Sequence, residues 1–259
     1  MRNTPHASRC AQLAASLMLG CAACFAPTLV TAQTANVMSR KDAPMSESLS
    51  VRQQAIVPIA AFGAMGDMAR LQAALNDGLD AGLTVNDAKE VLVQLYAYAG
   101  FPRSLNALGE LMKVVEARRQ RGLRDAQGDA PARPIPTGDA LLAAGTANQT
   151  RLVGSPVKGP LFEFAPAIDR YLKTHLFGDI FERDNLDWPS REIATVAMLS
   201  TLKGADSQVQ SHMGISMNVG LTTGQLSQLA QVLAERVDAD AAGRARDALA
   251  RQRATTATR

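Results

Sequence analysis

Cysteine and aromatic residues are scarce in this sequence, and each scarcity excludes something. All three cysteines (Cys10, Cys21 and Cys24) lie within the first 24 of 259 residues. A chain cut after Ala32 therefore carries none, which removes thiol redox catalysis, structural disulfides and thiolate metal sites from the mature protein. Aromatics amount to 4% of the chain, while Ala, Leu, Val and Met abound. No run alternates apolar and polar residues between hairpin turns, so the composition predicts helices in place of sheet. All-α is the expected fold class, and a hydrophobic content of 47% is enough for a sizeable core. Charge is nearly balanced, with 27 basic and 24 acidic residues, and loss of Arg2 and Arg9 with a leader brings it closer still, so charge gives no argument for nucleic-acid binding. Phosphate-cradling glycine loops, serine nucleophile elbows and dinucleotide fingerprints are missing too. No cofactor and no metal are expected, and His175 has no partner at metal-ligand spacing.

The first 32 residues carry the marks of a targeting segment. Arg2 and Arg9 precede an apolar run from Ala11 to Ala26, and Val30-Thr31-Ala32 offers small residues ahead of a cut before Gln33. The run is short and interrupted by Ala and Gly, unlike a membrane span. Met18-Leu19-Gly20-Cys21 gives a second reading, a lipid anchor at Cys21. Either route predicts an exported bacterial-type protein, periplasmic or secreted, with no other membrane contact.

Residues 33–48 read as a flexible lead-in. A first helical unit is expected over 49–120, a linker over 121–159 (clearest over Gly122 to Asp139, with short helical pieces after it), a second helical unit over 160–253 and a frayed tail over 254–259. Within the first unit, helices are expected over 51–65 and 67–81, broken at Gly66 and Gly82. Thr84 and Asp87 supply a capping box for a third, and Ser104 caps a fourth after the turn at Gly100 and Pro102. In the second unit, Ala165 to Phe177 is expected as one helix and 178–187 as a connector. Helices then start after Asp187, near Gly204 and at Thr222, with a last one from Ala241 to about Gln252. The two units repeat one pattern. Gly66 and Gly204 stand at the same distance before Gly82 and Gly220, and Gly-Leu-Thr recurs at 82–84 and 220–222. Arg52 aligns with Arg191, Ala55 with Ala194 and Val57 with Val196, after one residue of loop difference.

The second unit holds the residues best suited to chemistry. Glu192 near a helix start and His212 midway along the next helix could face each other across a helical hairpin, an arrangement that holds an imidazole ready for proton transfer. Each also has a plain structural reading. A carboxylate favours a helix N-terminus, and a lone histidine on a helix is commonly a packed or surface residue. The first unit has Gln53 and Ala74 in these places, so its site is degenerate.

Arg191-Glu192, His212 and the run to Asn218-Val219-Gly220-Leu221-Thr222 resemble the core motif of the carboxymuconolactone decarboxylase family. The segment from Glu90 through Gln94, Tyr96, Tyr98 and Gly100 to Pro102 is similar to the family's other signature. The resemblance implies two tandem repeats of an alkylhydroperoxidase D-like fold built from antiparallel helix pairs. The alkylhydroperoxidase branch of that superfamily uses a Cys-x-x-Cys pair, for which this chain has Ala205 and Gln208. Its peroxidase chemistry is therefore not expected here.

By that resemblance His212 would move a proton and Glu192 would orient it, in a decarboxylase or lyase reaction on a small carboxylated or lactone-like substrate. Arg191, Arg103 and Tyr98 are candidates to bind that substrate, against plain readings as salt bridge, carbonyl binder and packing aromatic. A noncatalytic scaffold or small-molecule binder of the same fold is the alternative. Association into a homo-oligomer is expected, because short helix pairs with exposed apolar faces bury them best against copies of themselves.

Overall fold

Two helices buried on every side form the centre of the molecule, and the rest of the chain wraps them. In the computed structural model, which describes residues 47–257, these are α1 (Val51–Met65) and α9 (Trp188–Thr201). Unbroken runs, Ala55–Ala64 in α1 and Ser190–Ser200 in α9, are buried, and the two helices pack against each other. A helix buried on every side has no solvent face to make polar, and the polar residues within the α9 run (Ser190, Arg191, Glu192, Thr195 and Ser200) are buried with the rest. The expected leader, most of the lead-in and the three cysteines lie outside the described residues.

The other elements are α2 (Met68–Asp80), α3 (Val85–Gln94), α4 (Tyr96–Ala99), α5 (Phe101–Gln120), α6 (Gly138–Val153), α7 (Pro160–Phe164) and α8 (Pro166–Tyr171). A π-helical segment, Leu172–Ile180, follows α8. After α9 come α10 (Asp206–Asn218), α11 (Thr223–Arg236) and α12 (Ala239–Ala257). There is no strand among the described residues. The repeat is visible in the packing. Helix α5 rests on α1, α2 and α3, and α12 rests on α9, α10 and α11.

Local chemistry sets several boundaries where the sequence places them. Thr84 with Asp87 and Thr222 with Gln225 both form complete capping boxes. Gly66 closes α1 with φ of 76°, a left-handed conformation that costs other residues energy.

Four stretches differ from the sequence expectation. The fourth helix starts at Phe101, with Gly100 as cap and Pro102 in its first turn. Ser104 is inside that helix, and its hydroxyl donates to Leu92 O at 2.7 Å, fastening α5 to α3. The expected linker over 121–159 contains α6, whose Gly145 lets the helix approach the π-helical backbone closely. Its first part is also pinned: Ala126 O and Gln127 O accept from the amides of Val85 and Asn86 at 2.9 Å, satisfying the free donors at the head of α3. Arg118, buried, grips Asp125 and Asp80 from α5. The single helix expected over 165–177 is α8 followed by the π-helical segment, which continues through Gly178 into the expected connector. The last helix is longer than expected: it starts at Ala239 and includes 254–257 of the expected tail.

Two apolar clusters result. The main one joins α1, α2, α3 and α5 to α9–α12. A smaller one gathers Leu152, Leu176, Phe177, Ile180, Phe181 and Ile215. Tyr98 packs on both, so it marks the seam between them.

Candidate active site

The seam holds the acid and the imidazole. Asp187 caps α9 by accepting from Ser190 N at 2.7 Å, which places Glu192 just beyond the first turn, facing α10. His212 lies midway along α10, and α9 and α10 pack as an antiparallel pair. His212 Nδ1 and Glu192 Oε2 are 2.7 Å apart. Glu192 is fully buried and the His212 side chain is 11% exposed. A carboxylate bound to Nδ1 fixes the ring orientation and leaves Nε2 as the nitrogen for proton exchange. Oε1 of Glu192 is buried without a hydrogen-bond partner.

Tyr98 reaches this pair from the first repeat. Its ring meets the His212 ring edge-on, with centroids 5.7 Å apart and planes at 81°. The phenol oxygen is buried and unpartnered. Thr195 sits beside it; that hydroxyl donates to Arg191 O at 3.0 Å and accepts from Gln94 Nε2 at 2.7 Å, which leaves one acceptor lone pair towards the phenol. Burial first, and then the Glu192 charge, push the Tyr98 pKa well up, so the phenol keeps its proton and can only serve as a donor or neutral acceptor.

Arg191 and Arg103 are engaged elsewhere. The fully buried Arg191 donates through Nη2 to Glu90 Oε2 at 3.0 Å and to Arg183 O at 3.1 Å. Successive residues on a helix point about 100° apart, so Arg191 and Glu192 cannot face the same neighbour. Arg103 donates to Ala64 O beside Gly66, holding the end of α1. The structure therefore brings Glu192, His212 and Tyr98 together, with the two arginines bonded to other groups.

Beneath the site is a network that sequence reasoning missed. Glu90, 2% exposed, takes a bidentate pair from Arg183 at 2.6 and 2.8 Å, the Arg191 bond, and Asn185 Nδ2 at 3.1 Å. Burial pushes the Glu90 carboxyl up, but Arg183, Arg191 and Asn185 outweigh it and hold the group below its ordinary pKa. Gln94, one turn on, donates to Arg191 O at 2.9 Å. The spacing of Glu90 and Gln94 put both on one face of α3, a readable signal. Arg183 carried none, since it reaches Glu90 across 93 residues.

Among the described residues no group of three or more His, Cys, Asp or Glu could hold a metal. A separate polar cavity of about 320 Å³ is lined by Arg52, Gln53, Asp87, Asn185 and Ser190, among others. The family model for the carboxymuconolactone decarboxylase family matches the chain over residues 30–112 and 166–251, one match on each repeat and more than half of the sequence together. No curated protein matches it.

Proposed function

Because the chain belongs to the carboxymuconolactone decarboxylase family, we propose that it is an acid–base catalyst of the lyase type, acting on a small carboxylated or lactone-like molecule. The observation that carries this reading is the buried 2.7 Å contact between His212 Nδ1 and Glu192 Oε2. Glu192 accepts a hydrogen bond from Nδ1–H, so that in the neutral ring Nε2 removes a proton next to a carbonyl, and in the protonated ring Nε2–H gives its proton to the carbon that has lost carbon dioxide, leaving the ring neutral. In the second case the carbon–carboxylate bond breaks and its electron pair enters the neighbouring carbonyl as an enolate. The His212 proton then ends on carbon. Tyr98, protonated, is placed to donate to an oxygen that gains charge. Positioned proton transfer of this kind contributes about 10²–10⁴-fold in rate.

The test is a screen of small lactones and carboxylic acids by thermal shift, then turnover of the hits by wild type and by His212→Ala. Loss of turnover in the variant, with the fold intact, is expected. Full turnover in His212→Ala would refute the assignment. A noncatalytic binding protein is the second reading, favoured by the 320 Å³ cavity, among whose lining residues His212 does not appear. Hits that bind His212→Ala unchanged, and are not turned over by wild type, would support it. The leader expected over 1–32 from the sequence would carry this activity outside the cytoplasm, and a mature mass beginning at Gln33 would test that.

A further inference from the structure

Helix α3 runs into α4 through Leu95, which is itself helical, so Glu90, Gln94 and Tyr98 line one side in steps of four. That side faces α9, where Thr195 lies one turn beyond Arg191 and Glu192. The contacts form a ladder. Glu90 holds Arg191, Gln94 bridges Arg191 O and Thr195 Oγ1, and Tyr98 lies beside Thr195 and against the His212 ring. Gln94 and Thr195 are fully buried, and the acid–base reading gives neither a task. The Gln94 amide has one orientation only. Its Nε2 is 2.9 Å from Arg191 O, which only accepts, and its Oε1 is 3.4 Å from Arg191 Nη1, which only donates. Nε2 therefore presents a proton to Thr195 Oγ1 at 2.7 Å, and the Thr195 proton goes to Arg191 O at 3.0 Å. With its donor and one lone pair committed, Thr195 can meet the phenol only as an acceptor.

Two acceptors thus stand near the Tyr98 proton, the spare Thr195 lone pair and the Glu192 carboxylate. Neither closes a bond with it, for the phenol oxygen and Glu192 Oε1 are each buried and unpartnered. A bond to the carboxylate would be the stronger, being charge-assisted, and it would weaken the hold of Glu192 on His212 Nδ1. We propose that Thr195, oriented by Gln94, is a positioning residue that turns the Tyr98 proton away from Glu192 and keeps it in reserve for a substrate oxygen. A neutral acceptor that faces the proton without binding it closely releases it readily, and a carboxylate would not. The use assigned to this proton rests on the acid–base reading, while its direction does not.

The experiment compares wild type with Thr195→Val, which keeps the shape but removes the acceptor, and with Thr195→Ser, which restores it. Protein labelled at tyrosine Cζ and in the histidine ring is followed by NMR, and the signals that Tyr98→Phe and His212→Ala remove are the ones read. In Thr195→Val the phenol should turn to Glu192, moving Tyr98 Cζ downfield and the His212 Nδ1–H proton upfield. Thr195→Ala should repeat both shifts, which keeps the test should the valine variant not fold. Thr195→Ser should stay at the wild-type positions, and in a Tyr98→Phe background Thr195→Val should leave His212 unmoved. With the lactone or acid that the screen finds turned over, kcat of Thr195→Val should fall about tenfold or more, a part of the ~10²–10⁴-fold that positioned proton transfer supplies. KM should hold, and Thr195→Ser should restore kcat. Signals that stay in place without the Thr195 hydroxyl, a His212 shift that persists in the Tyr98→Phe background, or an unchanged kcat would overturn the proposal. Failure of the acid–base reading has a different mark, full turnover in His212→Ala with the Tyr98 shift in Thr195→Val still present.

Discussion

Glu90→Gln tests the electrostatic reading of the site's foundation most directly. Glu90 is shared by two guanidinium groups in unequal positions. The Arg183 side chain is 28% exposed and can turn to water, whereas that of Arg191 is fully buried and cannot. Burial depresses the Arg191 pKa more than Glu90 restores it, so this arginine already bears a desolvation penalty in the intact protein. Taking away the carboxylate charge leaves a buried cation uncompensated, a change that typically costs about 3–5 kcal/mol. For a protein of this size that is a fall in Tm of roughly 6–20 °C. Calorimetry and urea unfolding should agree on the loss, while Arg183→Gln should cost about 1 kcal/mol, as partly exposed pairs do. The pH dependence has a definite sign. Since the Glu90 carboxyl is held below its ordinary value of 4.5, its contribution is present above that pH and is lost as pH falls through the depressed folded value. Glu90→Gln should therefore lose less stability on acidification than wild type. A neutral pair, Glu90→Leu with Arg191→Met, should recover most of the loss, because neither charge then needs burying. A Glu90→Gln protein within about 1 kcal/mol of wild type would refute the reasoning.

Two further outcomes follow from contacts at other positions. Tyr98→Phe removes a buried hydroxyl that has no partner, so stability should hold or rise by up to about 1 kcal/mol in urea unfolding while any turnover falls. A loss of more than about 1 kcal/mol would mean that the phenol has a bond the structure does not show. Gly145→Ala and Gly109→Ala should change Tm in opposite directions. The first puts a methyl into the backbone of Lys173 and should cost about 1–3 kcal/mol. The second meets nothing within 4 Å on α5 and should gain about 0.5–1 kcal/mol from helix propensity.

The contrast between what the sequence revealed and what it hid follows the range of the forces involved. Thr84, Thr222 and Gly66 act on their own few residues, so their caps and joints were legible in the chain order. Helix α6 was legible only as short helical pieces after Asp139, because only Gly145, Gln149 and Leu152 are buried, too few to print a periodic apolar face. Ser104 looked like a helix cap because its type suits one, but its hydroxyl is taken by a carbonyl on α3. The acid–imidazole pair could be guessed from two positions one hairpin apart. The burial of Arg191 could not, since its partner lies 101 residues away on the other repeat.

The two repeats carry complementary halves of one polar set, and this explains why neither should stand alone. In the register that aligns Gly82 with Gly220, Glu90 corresponds to Gln228, Tyr98 to Arg236 and His212 to Ala74, while Glu192 corresponds to Gln53 once the one-residue loop difference before Gly66 is allowed for. The second repeat has the acid and the imidazole but lacks the carboxylate that holds Arg191 and the phenol whose ring meets His212. The mirror network is accordingly dismantled: Arg52, the counterpart of Arg191, pairs with Asp87 of its own repeat, and Gln228 accepts from Leu49 N at 2.6 Å. Residues 160–259 expressed alone would expose the α9 face that α1 covers and leave Arg191 without Glu90. That fragment should show no cooperative thermal transition, and adding residues 33–159 as a separate chain should restore one. A second half that unfolds cooperatively as a monomer would show that the interdependence read from Glu90 and Arg191 is wrong.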